Sequence, residues 1–287
     1  MENTNQANSP DPIKISLLSG LAAAVTVLWC YSGYYWTLAI NALCCILMCV
    51  YWNKRFFHQV IASSQFLGAL FVTGLITAFS GINFNFGAYM VAMAVFHYSE
   101  FHMTALYNRD TLSFDSFLLN HSQEYGIAAV VSWVEYVIEY FIYSNIKAFS
   151  VVSFVGLLLV IGGETMRKAA MITARSNFTH VVAHRKRHNH ELVTAGVYGW
   201  VRHPSYVGWF YWSVGTQLLL CNPICLIGYS IASWKFFKER IYYEERMLLE
   251  FFGEQYKDYK KTVGTGIFGI SGFPIIERIE HPSMSDK

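Results

Sequence analysis

The chain has 287 residues, of which 54% are hydrophobic, 17% aromatic and only 14% charged. A soluble domain carries about 25% charged residues, so there is too little charge here to cover a water-facing surface, and a membrane protein is the first inference. The net charge of +2 gives no case for nucleic-acid binding.

Residues 1–12 are polar and slightly acidic, without the basic leader or small-residue cleavage site of a signal peptide. They read as a loose tail before an uncleaved first helix, and neither end carries a lipidation or retrieval motif. Eight apolar segments follow, at 15–30, 34–51, 60–80, 86–107, 127–143, 149–163, 206–221 and 224–237. A full span needs about 20 apolar residues, so some helices must extend beyond the bilayer core. In lipid the backbone bonds within its own segment, and the ten-residue alternation of a barrel is missing, so the expected fold is all-α with about eight transmembrane helices. The last two form a hairpin.

Orientation follows from Lys and Arg. With the N-terminus cytosolic, the inside connections hold Lys14, Lys54, Arg55, Arg109, Arg167, Lys168, Arg175 and the basic run near Arg185, and the outside ones only Lys147. Both termini are then cytosolic, with Lys235, Lys238 and Arg240 at the inner face. The six cysteines, Cys30, Cys44, Cys45, Cys49, Cys221 and Cys225, sit in or beside apolar runs and read as small buried hydrophobes.

Ionisable residues inside apolar segments stand out. His97, Glu100 and His102 lie on the fourth segment, Glu135 and Glu139 on the fifth. An intramembrane carboxylate is a functional-site hypothesis by default. The structural alternative is pairing with one another or with backbone, which suits Glu135 and Glu139, one turn apart.

The richest stretch is 192–252. It contains Gly199-Trp-Val-Arg-His-Pro-Ser-Tyr-Val-Gly208, an apolar run, Asn222-Pro223, a second apolar run, and Lys238-Glu-Arg-Ile-Tyr-Tyr-Glu-Glu-Arg246. Proline suits the first helical turn, so His203-Pro204 starts the seventh span. The N–H groups near Ser205 and Tyr206 then offer an anion site. Asn222 reads as the cap of the eighth span and Pro223 as its first residue. Arg240 and Glu244 are four apart and share a helix face. They form either an interfacial salt bridge or a divided site, with Arg240 for a carboxylate and Glu244 for a cationic or hydroxylated ligand.

Two patterns are weaker. Gly264-Thr-Gly266-Ile-Phe-Gly269 fits G-x-G-x-x-G, but no βαβ unit surrounds it. His184, His188 and His190 have histidine-box spacing, yet one box supplies too few ligands, so a basic solvated loop over 183–191 is the better reading and no metal is expected.

Together the Arg-His-Pro-Ser-Tyr-Val-Gly run, the Asn-Pro turn and Glu244-Glu245 resemble the integral-membrane methyltransferases. Within them the chain is similar to the isoprenylcysteine carboxyl methyltransferase family in its animal form, through His97-Tyr-Ser-Glu-Phe101, Asp115-Ser-Phe-Leu-Leu-Asn-His121, Lys168-Ala-Ala-Met171, Ser176-Asn-Phe178, Leu192-Val-Thr194 and Phe251-Phe-Gly-Glu-Gln-Tyr-Lys-Asp-Tyr-Lys260. The likeness is weakest in the first two spans and over 183–189, where Ala183 replaces an expected polar residue and is left out of the site.

The resemblance implies methyl esterification of the C-terminal prenylcysteine carboxylate of processed CaaX proteins, such as Ras-type GTPases. S-adenosylmethionine would be the donor and the endoplasmic reticulum membrane the location. Carried over, cofactor contacts fall on His190, Glu191, Leu192, Val193, Tyr198, His203, Pro204, Ser205, Tyr206 and Glu244, and the substrate carboxylate falls on Arg240, the catalytic position. The chain then divides into a cytosolic tail (1–14), six transmembrane helices (15–163), and a catalytic region (164–287) of cofactor-binding loop, last two spans and cytosolic C-terminal segment. Such a reaction needs no general base, because an α-carboxylate with a pKa of about 3.3–3.7 is already ionised at pH 7.

Three competitors stand beside this reading. A phospholipid amine methyltransferase would share the same elements but give Arg240 little purpose. A sterol reductase would bind a nicotinamide cofactor. A transporter would show inverted repeats. The residues leave open which of Arg175, Arg202 and Arg240 matters most.

Overall fold

Each apolar segment lies almost wholly within one helix of the computed structural model, which describes residues 10–120 and 122–275. The tail over 1–9, His121 of the quoted motif and residues 276–287 lie outside the described residues, and so does the cytosolic placement of the chain ends. The helices are α1 (Pro12–Tyr31), α2 (Thr37–Tyr51), α3 (Arg55–Phe79), α4 (Phe84–Tyr107), α5 (Gln123–Ile142), α6 (Val151–Ala174), α7 (Pro204–Leu220), α8 (Pro223–Phe252) and α9 (Glu254–Thr262), with no strand among the described residues. Among the described residues four stretches are helical for long enough and apolar enough to cross a membrane: Pro12–Tyr31, Arg55–Phe79, Gln123–Ile142 and Ser144–Asn177. Four rather than eight meet that test. α2 has 15 residues and α7 has 17, α4 carries His97, Glu100 and His102, and α8 is strongly charged beyond Phe237. The chain is therefore a multi-pass helical membrane protein, with large apolar side chains such as Leu21, Leu47, Val130 and Ile161 turned outward.

No hydrophobic effect drives helices together inside lipid, so close backbone approach does it instead. Between α6 and α7 the small residues Gly156, Gly163, Gly208 and Gly215 allow this. A Cβ at Gly163 would press on Gly208 O and Trp212 N, and one at Gly208 on Gly163 O and Arg167 N. Any larger residue at Gly163 forces the two helices apart. Elsewhere Phe101 stacks on Phe117 with ring centroids 4.1 Å apart, and Ile15, Val60, Ile61 and Leu67 join them in one core cluster.

Helix ends correct several expectations. Asn222 does occupy the N-cap of α8, but its side chain makes no cap bond. It donates instead to Ser132 O at 2.9 Å, and Lys147 Nζ donates to its Oδ1 at 2.8 Å. The capping acceptor is Glu135, whose two oxygens each take a backbone N–H, from Ile224 and Cys225, at 2.7 Å. A carboxylate there satisfies orphan donors and faces the positive end of the helix dipole. Glu139 pairs with Lys147 at 2.5 Å, not with Glu135. Lys147 also donates to Leu220 O and Cys221 O, closing the C-terminal end of α7. This polar knot locks the turn between α7 and α8. The cysteines are less buried than expected. Only Cys225 is buried, and Cys44 faces outward.

Two helices outrun their apolar segments. α6 continues through Glu164, Arg167 and Lys168 to Ala174, so the division at 163/164 falls inside it. α8 runs on for 15 residues past Phe237, to Phe252, about 22 Å at 1.5 Å per residue. Their overhangs, with the intervening 175–203 segment and α9, frame the site.

Candidate active site

A cavity opens at the overhanging ends of α6, α7 and α8, with about 850 Å³ of atom-free space continuous with solvent. His190, Glu191, Leu192 and Val193 line it from the loop, Tyr198 from the short turn Gly196–Gly199, His203 to Tyr206 from the start of α7, and Glu244 from α8. All ten residues expected to contact a cofactor thus border one space. Asn177, Phe178, Val182, Arg202, Met247 and Phe251 are among the other lining residues. Ala183 also borders the cavity, although its departure from the family pattern had set it aside.

His190 packs between Phe251 and Phe252, with centroids 5.6 and 5.3 Å away. Its Nδ1 is buried without a hydrogen-bond partner in the protein. Burial, followed by Arg187 and Lys186, holds its pKa below the ordinary histidine value, so the ring is neutral at pH 7. Burial and then Glu244 push the Tyr198 phenol up, keeping it protonated. Tyr259 fixes this turn by donating to Tyr198 O at 2.5 Å.

Arg240 stands beside the cavity lining. It makes no direct salt bridge to Glu244. Tyr206 lies between them: Arg240 Nε donates to its hydroxyl at 2.8 Å, and that hydroxyl donates to Glu244. A second guanidinium nitrogen of Arg240 donates to His180 O, and its carbon lies 5.3 and 5.9 Å from the Tyr206 and Phe236 rings. Neither alternative from the sequence is met directly: the guanidinium and the carboxylate are joined through a tyrosine hydroxyl instead of pairing with each other. The anion site expected at the first turn of α7 is reduced, because Tyr206 N–H is taken by His203 O at 3.0 Å.

Two buried ion clusters brace the cavity. Glu100 receives Arg167 through two bonds of 2.7 Å, His180 Nε2 at 2.7 Å, and Lys168. Arg167 also donates to Ser205 Oγ at 2.7 Å. The fourth-segment ionisable group does not act as one cluster, because His97 Nδ1 bonds Phe117 O and His102 Nδ1 bonds Tyr98 O. Arg167 and Lys168, counted as residues of a connection, belong to α6 and face Glu100. The second cluster centres on Glu245, which takes Arg202 at 2.8 Å, His203 at 3.3 Å, Phe273 N at 2.8 Å, and Lys260. Burial alone would raise this carboxyl; His203, Lys260 and Arg202 outweigh it and hold the pKa at about 2. Arg202 is thus committed to the scaffold, and Arg175 borders a separate, smaller recess.

Sequence reasoning missed Arg167 and His180. Arg167 had a signal, a cation one residue from the quoted Lys168-Ala-Ala-Met171, but its partner lies 67 positions away. The G-x-G-x-x-G run is a packing loop whose Ile267 and Ile270 are buried against Phe237 and Ile241. His188 bonds its neighbour Asn189 while His190 turns to the cavity. Among the described residues no group of three or more His, Cys, Asp or Glu is placed to hold a metal.

Fold and cavity together define a helical membrane protein with a binding space among the polar ends of its last long helices. Residues 155–250 match the model of the isoprenylcysteine carboxyl methyltransferase family. The chain is 52% identical to a protein-S-isoprenylcysteine O-methyltransferase of Xenopus laevis over 81% of each chain. It is 48% identical to one of Tribolium castaneum over 91% of this chain and 98% of that one. A solved structure of a eukaryotic intramembrane Ras methyltransferase, isoprenylcysteine carboxyl methyltransferase, superposes with a TM-score of 0.82 at 45% identity, covering 92% of this chain and 99% of the other. The chain belongs to the isoprenylcysteine carboxyl methyltransferase family.

Proposed function

We propose that this chain methylates the C-terminal carboxylate of prenylcysteine, with S-adenosylmethionine as the donor held in the cavity and Arg240 holding the acceptor. The observation that supports this reading is the Arg240–Tyr206–Glu244 linkage, which joins a guanidinium to a cavity lined by Glu191, Glu244, polar groups and aromatic rings. The cavity suits that cofactor. Glu244 can receive hydroxyl or ammonium groups, the buried unpartnered Nδ1 of His190 awaits a polar contact, and Phe178, Tyr198 and Phe251 offer flat apolar surface for a purine. When bound, the cofactor supplies an electrophilic methyl group.

The protein's own task is position and electrostatics. Arg240 orients the carboxylate through paired N–H groups, and its charge also lowers the acceptor's nucleophilicity. Tyr206 fixes Arg240 and Glu244 relative to one another. The half-exposed Phe236, one turn closer to the bilayer, stacks near Arg240 and meets Trp209 at 6.3 Å. This aromatic strip is where a prenyl chain entering sideways from lipid would lie. In this reading eight helices cross the membrane, both termini are cytosolic, and the acceptors are Ras-type and other processed CaaX proteins at the endoplasmic reticulum.

The test is transfer of tritiated methyl from S-adenosylmethionine to N-acetyl-S-farnesylcysteine, with phosphatidylethanolamine as a parallel acceptor, using protein purified in lipid. Base-labile ester on farnesylcysteine alone is the expected result. Label on the lipid amine would instead support the phospholipid methyltransferase reading.

A further inference from the structure

α8 presents a second recess, on a face separate from Arg240 and Glu244, that methyl transfer does not use. Trp234, Lys235, Lys238, Glu239 and Tyr242 line it from the helix and residues 269–272 from the C-terminal loop, and it holds about 1010 Å³ of atom-free space continuous with solvent. Trp234, Lys238 and Tyr242 follow one another at four-residue intervals, as do Lys235 and Glu239, so they form one helical face. The loop is pinned in place. Trp234 Nε1 donates to Phe268 O at 2.9 Å, Thr265 Oγ1 donates to Ile270 O at 2.5 Å, and Ile267 and Ile270 are buried under it. The recess is therefore a built feature of the fold.

Its chemistry is unspent. Lys235 and Glu239 take no ion-pair partner among the described residues, and Lys238 Nζ lies 5.0 Å over the Trp234 ring. Phe268, next to Trp234, is 93% exposed. The apolar run of α8 ends at Phe237, which puts the recess at head-group depth, where tryptophan and lysine partition between apolar and wet surroundings. Two ammonium groups and one carboxylate complement a group carrying two anionic charges and one amine.

We infer that this recess binds the head group of an anionic, amine-bearing glycerophospholipid, phosphatidylserine being the simplest. Lys235 and Lys238 take its phosphate and carboxylate, Glu239 takes its ammonium, and Trp234 and Phe268 rest against the glycerol and acyl chains. Bound lipid would tie the C-terminal loop, and through Arg202 and Glu245 the cavity's outer wall, to the membrane surface.

The test is thermal unfolding of the full chain in lipid-free detergent, titrated with phosphatidylserine, phosphatidylglycerol, phosphatidylcholine or soluble glycerophosphoserine. Phosphatidylserine should raise the midpoint by about 5 °C at saturation, phosphatidylglycerol less and phosphatidylcholine hardly at all. The shift should vanish in a Lys235→Ala/Lys238→Ala double variant and persist in Lys235→Arg/Lys238→Arg. Glu239→Gln should erase the preference for serine over glycerol. An equal shift in the double alanine variant, an equal shift with phosphatidylcholine, no shift in the wild type, or full reproduction by glycerophosphoserine would each overturn the inference.

Discussion

Glu100 and Glu245 are both buried carboxylates ringed by cations, yet they brace the cavity from opposite sides and by different means. Glu100 sits on α4 in the helical bundle, with Arg167 and Lys168 from α6, and its His180 contact reaches the loop that touches Arg240. Glu245 sits on the overhang of α8 and gathers the start of α7, α9 and the C-terminal loop. Arg202, one of its partners, has other acceptors in Lys260 O, Val263 O and Ser271 O. Among the described residues Arg167 has Ser205 as its one further hydrogen-bond acceptor besides Glu100, with the Phe96, Phe178 and Trp209 rings packed around it. The contrast shows that a carboxylate deep in the bundle is needed to neutralise its cations, whereas the outer one organises a surface loop that has partial alternatives.

The largest effect should come from breaking the inner cluster. Removing one partner of a buried ion pair costs about 3–5 kcal/mol, because the other charge is left uncompensated. Glu100→Ala should fall in that range by thermal or denaturant unfolding in detergent, and Glu245→Ala should cost clearly less. Equal losses would remove the distinction drawn between the two clusters.

Acid sharpens the same comparison. The folded pKa of Glu245 is depressed from 4.5 to about 2. Its stabilisation is therefore complete above about pH 4.5 and is lost as pH falls toward 2. The unfolding midpoint should drop as pH falls from about 4.5 toward 2, and Glu245→Gln should flatten that slope. An identical slope in the variant would mean that other carboxylates set the acid limit.

A smaller gain is expected where the backbone is strained. Arg175, the residue that ends α6, has φ +48° and ψ −123°, a conformation that glycine adopts freely and L-residues resist. Arg175→Gly should raise stability by about 1 kcal/mol, read as a higher unfolding midpoint. A lower midpoint would show that the side chain, which borders the smaller recess, contributes more than the strain costs.

Much of this was legible in the sequence because lipid leaves the backbone few choices. Eight apolar runs had to become helices, Pro204 and Pro223 had to stand at helix starts, and the ten residues taken from the family pattern border one cavity. The missing parts are long-range pairings. Glu135 looked like a partner for Glu139, one turn away, but it caps α8 from 89 positions off. α6 and α8 overran their apolar segments because the charges that seemed to end them are neutralised by residues remote in the chain. Glu244 and Glu245 are neighbours in sequence, but a helical step of about 100° turns one to the cavity and the other to the scaffold.

In the proposed reaction the site is divided, with Arg240 serving the acceptor and Glu244 the cofactor. The most direct measurement pairs the dissociation constant for S-adenosylmethionine, by calorimetry, with the rate of methyl transfer to N-acetyl-S-farnesylcysteine, in Arg240→Ala and Glu244→Ala. Arg240→Ala should lose at least about 100-fold in rate, the scale of about 3 kcal/mol for a charge-assisted contact, and keep the cofactor's affinity. Glu244→Ala should weaken cofactor binding. An unchanged rate in Arg240→Ala, or an unchanged dissociation constant in Glu244→Ala, would contradict the division.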